Sequence, residues 1–173
     1  MDVQKTSLEF YGSKTLRETC RDVEVFDDKL ADFANKLRDL MYEFDGVGLA
    51  AIQVGVPLRI AVIDIPNTEK ESIILVNPEI VWRDDETQSD NEGCLSIPDV
   101  RASVVRQMRI SVKALSPKGE PIFLDKISGF YARIVQHEID HLNGVLFTDR
   151  IDPLKKTLIA GKLKKIAKEH KGR

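Results

Sequence analysis

The chain has 173 residues, 42% of them hydrophobic and 31% charged, which is enough to bury a substantial core and too apolar for a disordered segment. Lys and Arg total 26 against 28 Asp and Glu, a net charge of −2, so bulk charge does not make it a DNA-coating protein. Two cysteines, Cys20 and Cys94, are too few for a disulfide framework. The opening MDVQKTSLEF lacks a secretory pattern, and no apolar run approaches the roughly 18 residues of a membrane span. The expectation is one cytoplasmic domain over residues 1–173, with neither DNA nor membrane as partner.

In chain order, the first helix is expected over 28–44. Leu30, Phe33, Leu37, Leu40, Met41 and Phe44 recur at steps of three and four, the spacing of one buried stripe. Asp27 or Asp28 can cap it, and Asp45-Gly46 closes it. The stretch from Gly46 to Gly55 is too apolar for a solvated loop and too rich in glycine for a helix interior. Strand patterns follow at 58–65, 72–76, 79–82, 109–115 and 120–124. Ile110, Val112 and Ala114 alternate with Ser111 and Lys113, which predicts a half-buried strand with those two residues outward. Ser116-Pro-Lys-Gly119 reads as a hairpin turn. A second helix is expected over 128–142, ending at Asn143-Gly144. A third begins at Pro153, with Leu154, Leu158, Ile159, Leu163, Ile166 and Ala167 on one side. Without regular alternation of strand and helix, the class is α+β.

The second helix holds His137-Glu138-Ile139-Asp140-His141, an H-E-x-x-H pattern. Residues four apart on a helix lie one turn above each other, so both imidazoles can face one metal ion, with Glu138 beside them as a general base toward water. The plain alternative is two helix histidines satisfied by neighbouring carboxylates. A catalytic ion usually has three protein ligands. In one metallopeptidase class the pattern continues to a third histidine, but that position here is Phe147. Glu169 and His170 lie in a lysine-rich tail, where a firm anchor is not expected. Cys94 is the remaining soft ligand, next to Gly93, unless it is a small buried hydrophobe, the common fate of a free cysteine. For Cys20, with no pattern around it, the buried reading is adopted.

Three blocks occur in order: Gly46-Val-Gly-Leu-Ala-Ala-Ile-Gln53, Glu92-Gly-Cys-Leu-Ser96 and Gln136-His-Glu-Ile-Asp-His141. Together they resemble the three signature motifs of the peptide deformylases, and the likeness extends from Tyr11-Gly12 to the helix after Pro153, a tail like that of the bacterial type 1 members. Ile52 departs from the family pattern, where proline is common. The resemblance implies antiparallel sheets packed around a central metal-binding helix, with one helix N-terminal and one C-terminal to it. It implies a hydrolase that removes the formyl group from the formyl-methionine of nascent polypeptides and releases formate.

By position, the resemblance makes Cys94, His137 and His141 the metal ligands and Glu138 the general acid and base. Gln53 and the Leu95 N–H match the groups that polarise the formyl oxygen. The backbone around Gly46, Val47 and Gly48 would pair with an extended peptide. Val47, Phe130, Ile134 and His137 would line the methionine pocket, with Arg133 and Arg101 near its rim and the peptide exit. Either arginine could instead be a solvated surface charge, and Arg101 reads equally well as one. One divalent ion per chain is implied, Fe²⁺ physiologically, with Zn²⁺, Ni²⁺ or Co²⁺ able to replace it; imidazole and thiolate alone do not choose among them.

Residues 153–173 form a basic extension of the same domain, carrying Lys155, Lys156, Lys162, Lys164, Lys165, Lys168, Lys171 and Arg173 against Glu169. It reads either as a solvated helix face or as a contact with ribosomal RNA. The expected protein is a monomer. Two other functions stay open at this level: an H-E-x-x-H metallopeptidase, and a catalytically silent metal-binding protein.

Overall fold

A computed structural model describes residues 7–64 and 72–170. Helix α1, Asp28–Glu43, starts where Asp27 accepts a hydrogen bond from the Leu30 N–H at 2.9 Å, and its buried stripe is Leu30, Phe33, Leu37, Leu40 and Met41, with Ala34. The glycine-rich stretch that follows divides into a short strand β1, Gly48–Ala50, and a 3₁₀ turn, Ala51–Val54. Strand β2, Ile60–Ile63, is shorter than the pattern predicts, and Ile65 lies outside the described residues. The two expected strands at 72–76 and 79–82 are one, β3, Ile73–Arg83. Asn77-Pro78 interrupts its pairing rather than ending it: Asn77 has φ 51° and the register shifts between Val76 and Glu79, as a bulge allows.

The sequence reading missed two strands, β4 (Thr87–Cys94) and β5 (Ile97–Gln107). They form a separate antiparallel ribbon from the Thr87–Gln107 pair to the Cys94–Ile97 pair. Strand β4 is polar and half exposed, so it carries no apolar alternation to betray it. Strands β6, Arg109–Leu115, and β7, Pro121–Ser128, are joined by the expected turn, with Ser116 N–H bonded to Glu120 O at 2.8 Å and Gly119 at φ 81°. Ser111 is buried, contrary to the alternation, because its hydroxyl is taken up by Asp125 at 2.9 Å and Lys126 N–H at 3.0 Å.

The larger sheet is fully antiparallel in the order β1-β2-β3-β6-β7. Helix α2, Gly129–Leu142, follows Ser128, whose side chain makes no capping bond, and is buried continuously from Ala132 to Leu142. It contacts β1, β2, β6 and β7 of the large sheet and also β5 of the ribbon, so it is the central helix expected. Gly144 closes it at φ 71°, and a side chain there would meet the Arg17 carbonyl oxygen at 2.6 Å. Helix α3, Pro153–Glu169, begins at Asp152, whose carboxylate accepts from the Leu154 N–H at 2.9 Å. Its expected apolar side is only partly used. Leu163 and Ile166 are buried with Leu16, Val100 and Val104, whereas Leu154 and Leu158 are exposed. The first turns of α3 extend past the core that its later turns cover.

Candidate metal centre

Helix α2, the end of β4 and the 3₁₀ turn after β1 converge on one point. Among the described residues, Cys94, His137 and His141 form the one group whose donor atoms all lie within 4.8 Å of one another. Cys94 Sγ is 3.2 Å from His141 Nε2, near the ~3.5 Å between a thiolate and an imidazole on one tetrahedral ion. The ring of His137 sits 5.0 Å from that of His141, centroid to centroid, and 6.2 Å from Phe147. Phe147, at the third-histidine position of the extended pattern, is thus a wall of the site. Glu169 pairs with Lys165 and His170 stacks on Phe10 at 3.8 Å, so neither belongs to the cluster. Cys20 is buried, and burial pushes its thiol up to about 11.

The donors fit a divalent ion in ways beyond distance. Glu92 Oε2 is 3.0 Å from His137 Nδ1, which leaves the other ring nitrogen to face the cluster, a common arrangement for a metal-bound histidine. His141 Nδ1 and Glu138 Oε2 are buried without hydrogen-bond partners among the described residues. Burial opposes a charge on His137, but the Cys94 sulfur and the Glu92 carboxylate outweigh it and hold the ring up to about 10. Burial, reinforced by charged His137 and Arg106, pushes His141 well below the ordinary imidazole range. Because these donors bind a divalent ion only when deprotonated, any metal affinity of the cluster should rise with pH.

Behind the three donors lies a buried ion network that the sequence reading did not find. Glu92 takes two bonds from Arg106, Nε at 2.6 Å and Nη2 at 2.8 Å, and one from Arg133 Nη1 at 2.6 Å. Arg106 also reaches Asp140 Oδ2 at 2.6 Å, and Arg150 clasps the same carboxylate from the surface. Burial would raise the Glu92 carboxyl, but its bonds from Arg106 and His137 hold it well below the usual range. Arg106 is at an alternating position on β5. Without the β4–β5 ribbon, nothing in the sequence marks it as a partner of Glu92.

Gln53 is 1% exposed. Its Oε1 accepts from the Ala50 N–H at 2.8 Å, which aims its Nε2 at Ser96 Oγ (3.1 Å) and Cys94 Sγ (3.5 Å). Glu138 is buried, and burial pushes its carboxyl up to about 7. Gly48 packs against it so closely that a side chain at 48 would collide with Glu138 Oε1 and come within 2.9 Å of Ile134 Cγ2.

These groups open into a cavity of about 840 Å³. Gly46, Val47, Gly48 and Gln53 line one side, Leu95 and Arg101 another, and Phe130, Ile134, His137 and Glu138 a third. All the sequence-derived substrate residues therefore border one space. Arg133 is the exception in kind: expected at the rim, it is 3% exposed, with Nη1 also bonded to Val104 O and Nη2 to Gln88 O, each at 3.0 Å. Arg101 is exposed at the mouth, its stem over Gly93 at 3.4 Å from where a Cβ would be.

Comparison with known proteins adds an independent line. The chain is 46% identical over 156 residues to a peptide deformylase of Brucella suis, covering 89% of each chain. A Thermotoga peptide deformylase is 42% identical over 158 residues, 91% of this chain and 94% of its own. Among solved structures, the Legionella pneumophila peptide deformylase superposes with a TM-score of 0.86 at 41% identity, over 96% of this chain and 98% of that one. The enzyme of Plasmodium falciparum reaches 0.90 at 33% identity, over 95% and 97%. With the family described as polypeptide deformylase matching residues 6–157, the chain belongs to that family.

Proposed function

We propose that Cys94, His137 and His141 hold one divalent metal ion, beside which Glu138 and Gln53 carry out the family's hydrolysis. The reaction removes the formyl group from the N-terminal formyl-methionine of newly made polypeptides and releases formate. The observation that carries this reading is the three-donor cluster at the foot of a cavity, with a buried carboxylate on one side and an aimed amide on the other. When bound, the ion supplies Lewis acidity toward water and toward the formyl carbonyl. The expected ion is Fe²⁺, replaceable by Zn²⁺, Ni²⁺ or Co²⁺; a thiolate ligand beside Fe²⁺ makes Cys94 the target of air oxidation.

Glu138, held near neutrality by burial, accepts the proton of the attacking water and returns it to the departing amine. Gln53 Nε2, its amide fixed by Ala50, and the Leu95 N–H donate to the formyl oxygen as charge develops there. The Gly46–Val47–Gly48 backbone receives the peptide as an added strand, and Phe130, Ile134 and Val47 surround the methionine side chain. Arg101 stands at the exit. The chain works as a single catalytic domain over 1–173 and as a cytoplasmic monomer, for which light scattering should give a mass near 19.5 kDa.

Formate release from formyl-Met-Ala-Ser, set against cleavage of unformylated internal peptides, tests the assignment. Glu138→Gln should keep its metal and lose about 10²–10⁴-fold in kcat. Cleavage of internal peptides instead would restore the metallopeptidase reading. Full turnover by metal-loaded Glu138→Gln would remove Glu138 from the mechanism.

A further inference from the structure

We propose that Arg133 is a specificity residue that reads the sulfur of methionine, offering the thioether the uncommitted N–H groups of a buried guanidinium. This rests on the cleft being the formyl-methionyl site described above. On α2, residues 130, 133, 134 and 137 lie three, four and seven positions apart, so they share one face, and all four line the cavity. Phe130 and Ile134 suit an unbranched apolar side chain. Arg133 between them does not, at first sight.

A guanidinium carries five N–H donors. Arg133 commits three of them: two on Nη1, to Glu92 Oε1 and Val104 O, and one on Nη2, to Gln88 O. Its Nε–H and second Nη2–H have no partner among the described residues, although the residue is 3% exposed. Nor does Glu92 depend on Arg133 for a countercharge, since Arg106 already meets it with two bonds. A buried cationic donor left dry is costly. Water can satisfy the two groups while the pocket is empty, but a bound side chain displaces that water. A thioether is a weak acceptor and can replace it. The methylene of norleucine, nearly the same shape, cannot. A site built around a donor rejects the analogue that lacks the acceptor, and the weakness of sulfur puts the effect at the low end.

The test compares kcat/KM of the metal-loaded full chain for formyl-Met-Ala-Ser and formyl-norleucyl-Ala-Ser. The wild type should favour methionine by about tenfold. Arg133→Met should bring the two substrates to near parity. Arg133→Lys, which keeps a positive charge near Glu92 without the fork, should reduce the preference below about threefold and serves if the methionine variant does not fold. Each ratio is taken within one preparation, so a loss of metal or of folded protein cancels, as it would for a residue that only props up Glu92. Equal rates in the wild type, or an undiminished preference in both variants, would overturn the inference. Failure of the wild type to hydrolyse either peptide would overturn the function itself instead.

Discussion

Glu92 receives three guanidinium N–H bonds and faces the Nδ1 of His137 while remaining almost entirely inside the protein. Sequence alone gave it a place in a motif and no task; its partners, Arg106 and Arg133, are 14 and 41 residues away, and only the fold assembles them. Removing one partner from such a buried network leaves the others uncompensated. Glu92→Gln should therefore destabilise the metal-free protein by about 3 kcal/mol at neutral pH and weaken metal binding by about 10–100-fold. The pH dependence has a definite sign. The folded-state carboxyl titrates well below its ordinary value of 4.5, so its contribution is complete above that value and is lost as pH falls below it. Thermal melts of both proteins from pH 7 to pH 3 should show the wild-type advantage shrinking on the acid side. A gap that is constant across that range would mean that ionised Glu92 is not what the network stabilises. The role proposed for Gln53 was legible only through the motif, since a lone glutamine at a turn carries no chemistry until Ala50 and Cys94 are seen on either side of it.

At the scale of elements, the periodic segments were readable and the polar ones were not. Helix α1 follows from its stripe and cap, α2 ends at the expected Asn143-Gly144 pair, and β6 begins and ends where its pattern does. The ribbon β4–β5 escaped because β4 carries Ser, Asp and Asn with no apolar alternation, and the apolar residues the ribbon does bury, Ile97, Val100 and Val104, all come from β5. Helix α3 was legible as a helix, but not in which residues it buries. Its first two leucines reach past the core, and its lysines 155, 162, 164, 165 and 168 are exposed; Lys171 and Arg173 lie outside the described residues. We propose that this face meets ribosomal RNA. Replacing Lys164, Lys165 and Lys168 together with Gln leaves Leu163 and Ile166 in place, so the fold should persist. Cosedimentation with ribosomes should weaken, with the salt dependence of log K shallower by about three. Unchanged binding and slope would return α3 to a solvated face.

Across the whole molecule, a sheet that runs from β1 to β7 and a separate ribbon grip one helix from two sides, and the site forms where all three meet. The proposed ligands come from that arrangement: two from α2 at one-turn spacing and one from β4, about 40 residues earlier. A net charge of −2 hides both an acid-rich stretch from Asp84 to Asp99 and a basic final helix, so total charge says little about partners here. The scarcity of soft side chains says more, since two of three histidines and one of two cysteines meet at one point. The most direct test is to titrate Fe²⁺ anaerobically into metal-free protein while measuring bound metal and formate released from formyl-Met-Ala-Ser. Activity should rise in proportion to metal and level off at one ion per chain, and Cys94→Ala should neither hold the ion tightly nor recover activity. Full formate release without metal, or a Cys94→Ala variant that binds and turns over like the wild type, would contradict a centre built from Cys94, His137 and His141.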